Sequence, residues 1–377
     1  SRLLSPLNAS SHSELEAGLT AERKRREVAG TLPFAIPQIS LAPFLSGSEA
    51  EKKAVAAKWD QACREVGFLK VVDHGVPTDV INACWQASEE LFARPLEEKL
   101  AVPMTEDYPY GYTAMGMENL LASLDKNVTN PPDMKEMFNV CLGSKQRAPD
   151  HPPPRWPEDS LRLQAAYEQY YRALESLAAT LYRVCALALG LPEQWFESKI
   201  SQHRNVIRAI HYPAQRPPAL PKPGQVRASM HTDYGALTIL RLGGAHPGGL
   251  QVMGAAGHWV DVSSTDEENA FVINLGDLFA RWTNDRWLST PHQVVNPHQE
   301  ETAATAPRQS IAYFCNINMD TCVECIPTCR DQAGGGAKYE AISAGEWLMR
   351  KHAQTVAGKL CYEGASARGA EATLHAA

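Results

Sequence analysis

The chain has 377 residues, 44% of them hydrophobic and 21% charged, an ordinary globular balance with room for one large domain or two. Its formal net charge of −7 argues against a surface that tracks nucleic-acid phosphates, which would need a basic face. No apolar run approaches the ~18 residues that cross a bilayer, and the nine cysteines are scattered rather than framed. A cytoplasmic protein with reduced thiols, and with no membrane or nucleic-acid partner, is therefore expected.

Residues 1–34 read as a polar N-terminal extension, helix-compatible from Ser13 to Val28, in which glutamates flank Arg23-Lys24-Arg25-Arg26. The first residue is not Met, so a processed targeting segment stays open. Ile36–Leu41 alternates as a short strand. Val55, Trp59, Ala62, Cys63 and Val66 fall at helical spacing across Glu49–Val66. Gly67–Pro77 is a strand closed by a turn, where His74 is expected to be structural. Helices follow over Thr78–Phe92 and from Pro95, and the longest spans about Glu158 to Leu189. Its stripe of Tyr167, Tyr170, Leu174, Leu177, Leu181, Val184 and Leu187 repeats every three or four residues, as a core-facing helix should.

From Asn205 the period changes to two, with strands expected at 205–212, 235–242, 249–253, 258–262, 270–275, 292–296 and 309–316. The proline-rich stretch 213–228, carrying Arg216, Lys222 and Arg227, reads as a surface loop near the metal mouth. Cys322, Cys325 and Cys329 read as incidental thiols, because structural zinc would need a fourth ligand. A helical half followed by seven or eight antiparallel strands predicts an α+β protein with a double-sheet jelly roll. The expected divisions are an extension (1–34), a helical and strand region (35–200), the jelly-roll core (201–356) and a flexible tail (357–377).

Within that core, Met230–Leu240 reads as one strand opening on His-x-Asp. Positions i and i+2 of a strand share a face, so His231 and Asp233 can serve one ion. A second histidine, His292, opens a later β-branched run, and Arg308-Gln309-Ser310 opens another. Two histidines and one carboxylate with open positions form the facial triad of non-haem Fe(II) oxygenases. His211, His246, His258 and His298 lack such a partner, and Asp277 reads as a structural turn residue.

With Gly249-Leu250-Gln251-Val252 and Asn274-Leu275-Gly276-Asp277 between them, these motifs resemble the Fe(II)- and 2-oxoglutarate-dependent dioxygenases, in the branch of isopenicillin N synthase, over roughly residues 35–356. The resemblance implies a double-stranded β-helix (cupin-like) core and Fe(II) held by His231, Asp233 and His292. It implies O2 and 2-oxoglutarate as co-substrates, with release of succinate and CO2 and ascorbate as a supporting reductant. Arg308 suits the distal carboxylate, since a guanidinium fork meets a carboxylate with two parallel hydrogen bonds. Ser310 shares its face, and Tyr212 matches the family's third carboxylate contact. The plant enzymes have Asn-Tyr-Tyr-Pro there, and Ile210 departs from that Asn.

The substrate is expected to be a small molecule, handled by a monomer or weak homodimer. Asn205 and Arg208 suit a flat polar edge, Tyr234 and Phe314 a stacking clamp, and Tyr110 and Tyr112 are further contact candidates. That spacing resembles the thymine 7-hydroxylases, which implies a pyrimidine. An amino acid or other small carboxylate on Arg208 is the competing reading. Two other functions stay open: an oxidase that uses O2 without 2-oxoglutarate, and a non-catalytic binding member.

Overall fold

The computed structural model describes residues 36–105, 107–123, 130–145, 151–215, 220–243, 248–254, 257–262, 269–297, 306–330 and 336–356. The expected N-terminal extension and tail, together with Arg216, His246 and His298, lie outside them.

Among the described residues, twelve strands build the two larger sheets. They are β1 (Gln38–Ser40), β2 (Phe68–Val72), β3 (Gly111–Thr113), β4 (Glu136–Val140), β5 (Val206–Tyr212), β6 (Ala228–His231), β7 (Leu237–Leu242), β8 (Leu250–Met253), β9 (Trp259–Asp261), β10 (Phe271–Leu275), β11 (His292–Val294) and β12 (Arg308–Cys315). The larger sheet runs β1-β2-β10-β7-β12-β5-β4-β3, and the smaller β6-β11-β8-β9. Strands from the N-terminal region form both edges of the larger sheet, so residues 35–200 and 201–356 share one architectural unit.

Side-chain alternation splits the larger sheet into two faces. Ile207, Ala209, Ile311 and Tyr313 join Trp59, Tyr167, Tyr170, Leu174 and Leu181 in a core against the helices. Tyr212, Phe68 and Val272 turn the other way and pack with Ala228, Leu250, Val252 and Val294 of the smaller sheet. Arg308, Ser310 and Ala312 pair with Tyr212, Ile210 and Arg208 and therefore share this inner face. Arg208, Tyr212, Arg308 and Ser310 therefore face the smaller sheet.

The helix expected from Glu158 begins at Leu161 and runs to Ala188, burying every member of the predicted stripe except the half-buried Leu187. The helices Glu49–Glu65 and Thr78–Phe92 fall where the periodicity put them. His74 is structural: one ring nitrogen meets the Asn269 carbonyl and the other accepts from Val76 N–H. Cys322, Cys325 and Cys329 are free thiols.

Two expectations about the elements fail. Met230–Leu240 is not one strand: β6 ends at His231, β7 starts at Leu237, and the chain crosses between the sheets over 232–236. There the carbonyls of Asp233 and Gly235 accept from Asp277 N–H (2.7 Å) and Leu278 N–H (3.2 Å), so the helix Asp277–Trp282 replaces a strand neighbour. Stretch 213–228 is not wholly a surface loop either, because Arg227 is 1% exposed.

Candidate metal centre

His231 and His292 are registered partners of the β6–β11 pair, with ring centroids 4.2 Å apart. Between this pair and the Ala228/Val294 pair, β6 carries one residue more than β11, a bulge that turns Ser229 toward Asp133. Ligand atoms from His231, Asp233 and His292 all lie within 4.8 Å of one another. His231 Nδ1 sits 2.7 Å from the Ser229 carbonyl and His292 Nδ1 3.2 Å from the Thr290 carbonyl. A carbonyl can only accept, so each Nδ1 carries the proton and each Nε2 offers its lone pair.

Asp233 is prepared in the same way. Its Oδ2 accepts from Thr238 Oγ1 and from Asn274 Nδ2 (2.6 Å), while Oδ1 stands 3.9 Å from His292 Nε2. Burial, and then the charge His292 would carry, holds the His231 imidazole well below its usual pKa, so it stays neutral. Burial opposes the charge on Asp233, but the positive charge that His292 and His231 would carry, together with the Thr238 and Asn274 hydrogen bonds, outweighs it and lowers the carboxyl's pKa. Two imidazoles whose Nδ1 atoms face backbone carbonyls and one oriented carboxylate, with further positions open, fit Fe(II). Asp277 stands behind them: it accepts from Ser289, Thr232 and Lys351 and supports the loop.

On the inner face beyond the triad lies a cationic end. Arg308 is 4% exposed, its Nη1 is 3.5 Å from Ser310 Oγ, and its guanidinium lies 4.8 Å from the Tyr212 ring centroid. The three residues expected to act together are together. Arg227 stands near them, and burial, followed by the Arg308 charge, pulls its pKa down to about 10.

The other candidates divide by strand parity. Arg208 is on the inner face, with its Nε 2.7 Å from Asn139 Oδ1, its Nη1 3.7 Å from Glu118 and its guanidinium 5.2 Å from the Phe314 ring. Asn205, of opposite parity, faces the helices and donates to the Tyr313 hydroxyl at 3.0 Å, which removes it from the inner pocket. Tyr112 also faces the helices, where its hydroxyl donates to Glu136. Gly111, at φ +88°, breaks the alternation, so Tyr110 packs with Tyr108, Cys141 and Val206 instead. Tyr234 lies against the C-terminal helix Ala344–Val356, edge-on to His352 at 5.7 Å. His211 belongs to Glu136, and His258 is exposed.

Sequence reasoning missed a buried charge network. Lys135, 3% exposed, pairs with Glu118 (2.9 Å) and Asp133 (3.0 Å). Burial works against its charge, yet the two carboxylates raise its pKa above the usual lysine value. The run Asp133-Met134-Lys135-Glu136 leading into β4 was the available signal, because charges of both signs entering a buried strand need partners.

Comparison with known proteins agrees with this geometry. Residues 36–159 match the family described as non-haem dioxygenase in morphine synthesis N-terminal, and residues 203–317 match the 2OG-Fe(II) oxygenase superfamily. The chain belongs to the 2-oxoglutarate–Fe(II) oxygenases. It is an oxidoreductase that takes Fe(II), 2-oxoglutarate and O2. Among its relatives, the 2-oxoglutarate-Fe(II) type oxidoreductase hxnY of Emericella nidulans is 30% identical, covering 90% of this chain and 96% of the relative. Homoarginine-6-hydroxylase 2-ODD-233 of Oryza sativa subsp. japonica is also 30% identical, covering 84% and 96%. The thymine 7-hydroxylase of Neurospora crassa, solved with α-ketoglutarate and thymine, superposes with a TM-score of 0.74 at 34% identity, covering 84% and 96%. With 2-oxoglutarate assigned, the co-substrate-free and non-catalytic readings fall away.

Proposed function

We propose that the protein hydroxylates a small, neutral, planar metabolite of the pyrimidine class between the two sheets. Fe(II) would be held by His231, Asp233 and His292, and the distal carboxylate of 2-oxoglutarate by Arg308, Ser310 and Tyr212. The eight- and four-stranded sheets are read as a double-stranded β-helix. Bound there, the metal and co-substrate supply activated oxygen while 2-oxoglutarate becomes succinate and CO2. The chain's own task is to hold the imidazoles and the carboxylate in place, exclude water and orient the substrate.

One observation carries the substrate class. The positive charge of Arg208 is already offset by Glu118, so the pocket does not require an anion. Asn139 holds Arg208 through Oδ1, and its Nδ2 has no hydrogen-bond partner among the described residues. Arg208 and Asn139 thus offer donors, with the ring of Phe314 beside them. An amide–imide edge satisfies that set, and the thymine bound by the Neurospora crassa enzyme has one. An amino-acid substrate is the second reading, favoured by the name of the homoarginine hydroxylase relative.

The test is succinate release from the Fe(II)-loaded enzyme with 2-oxoglutarate and either thymine-type pyrimidines or α-amino acids. Stimulation by pyrimidines is expected, and stimulation by amino acids alone would overturn the substrate class. Arg308→Lys, which keeps charge but loses the fork, should raise the 2-oxoglutarate KM by about ten- to a hundredfold, the equivalent of roughly 1.5–3 kcal/mol.

A further inference from the structure

Arg227 immediately precedes Ala228, the first residue of β6. It is 1% exposed, and its Nε, Nη1 and Nη2 are all buried with no hydrogen-bond partner among the described residues. A guanidinium carries five donors and does not give up its charge in a protein, so this burial is costly unless an anion completes it. The nearby carboxylates are committed elsewhere: Asp133 and Glu118 to Lys135, Glu118 also to Arg208.

Its place in the fold points to the anion. Ala228 and its partner Val294 pack in the same inter-sheet cluster as Tyr212, over whose ring Arg308 lies. Arg308 is the largest charged influence on Arg227, and Tyr212 the next. Two buried guanidinium groups therefore approach one region from different sheets, repelling each other until something negative enters. Resting on the reading of Arg308, Ser310 and Tyr212 given above, we propose that Arg227 is a second binding residue for the distal carboxylate of 2-oxoglutarate. The carboxylate is then clamped from β12 and from the start of β6.

Direct binding tests this without turnover. Anaerobic Fe(II)-loaded protein is titrated with 2-oxoglutarate and with 2-oxobutanoate, which keeps the 2-oxo acid but lacks the distal carboxylate. Arg227→Met should weaken 2-oxoglutarate by about tenfold or more and change 2-oxobutanoate by less than about twofold. The melting temperature without 2-oxoglutarate should hold or rise, because an unpaired buried charge has been removed, and the upward shift on adding 2-oxoglutarate should shrink. Arg227→Lys decides the same comparison if the Met variant does not fold. Unchanged 2-oxoglutarate affinity, or equal loss of both acids, overturns the proposal. Arg308→Lys is run beside them: loss of 2-oxoglutarate there alone removes Arg227 and leaves the cradle, whereas no loss there removes the cradle itself.

Discussion

His231 and His292 face each other across the β6–β11 pair, each with its Nδ1 on the carbonyl two residues before it. The centre is thus oriented by the backbone of the two strands that carry it. Asp233 lies beyond the end of β6 and depends on side chains from other strands. Its support is the part of the site that single substitutions can loosen.

Asn274→Ala and Thr238→Ala should each lower Fe(II) affinity by about ten- to a hundredfold while the fold is kept, because a ligand's hydrogen-bond partners set its orientation and basicity. Metal titration with circular dichroism as the fold control checks this. Unchanged affinity in both variants would show that Asp233 needs neither partner.

Gly276→Ala should be more damaging than its size suggests. A Cβ there would lie 2.3 Å from the Gly235 carbonyl oxygen and 2.8 Å from that of Asp233, so the crossing loop must move. Loss of metal binding with destabilisation of about 1–3 kcal/mol is expected. A variant with native denaturation midpoint and native metal affinity would contradict this packing.

Acid stability should depend on Glu136, which accepts from Lys99 (2.8 Å), His211 (2.7 Å) and Tyr112. Burial raises its pKa, but these partners outweigh burial and hold it below the usual carboxylate value. The unfolded chain then binds the proton first, so this contribution is present above the unfolded pKa and is lost as pH falls through the folded one. Between about pH 6 and pH 3 the wild type should lose more stability than Glu136→Gln. Parallel denaturation curves at each pH decide it.

Arg208, Asn205 and Tyr112 should separate by the face they occupy. Arg208→Met should raise the substrate KM by about tenfold or more with 2-oxoglutarate affinity retained. Asn205→Ala and Tyr112→Phe should cost about 1 kcal/mol of stability and leave the substrate KM unchanged. A raised KM in either of the latter two would place the pocket on the helix side of the sheet.

The triad pattern, the Arg308–Ser310 pair and most elements were legible in the chain itself, and the family resemblance added Tyr212 to the pair. Their signals are local: two-residue parity links Arg308 with Ser310 and Arg208 with Tyr212, and three-to-four-residue spacing marks the stripe of Leu161–Ala188. The same parity set Asn205 against Arg208, and the structure keeps them on opposite faces. Tyr112 could not be placed this way, because its face is known only once β4 pairs with β5.

Residue types and their order along the chain, by themselves, determined a candidate metal-binding pattern of two histidines and an aspartate, an arginine and a serine sharing one strand face, and a helical half followed by a β half. Only tertiary structure decided how His231 meets Asp233, which side chains offset Arg208, and that Arg227 is buried rather than exposed on a loop. The physical reason is that periodicity reports which face a side chain takes within its own element. Charge compensation and the crossing between sheets are made by segments distant in sequence, such as Glu118 with Lys135 and Asp233 with Asn274.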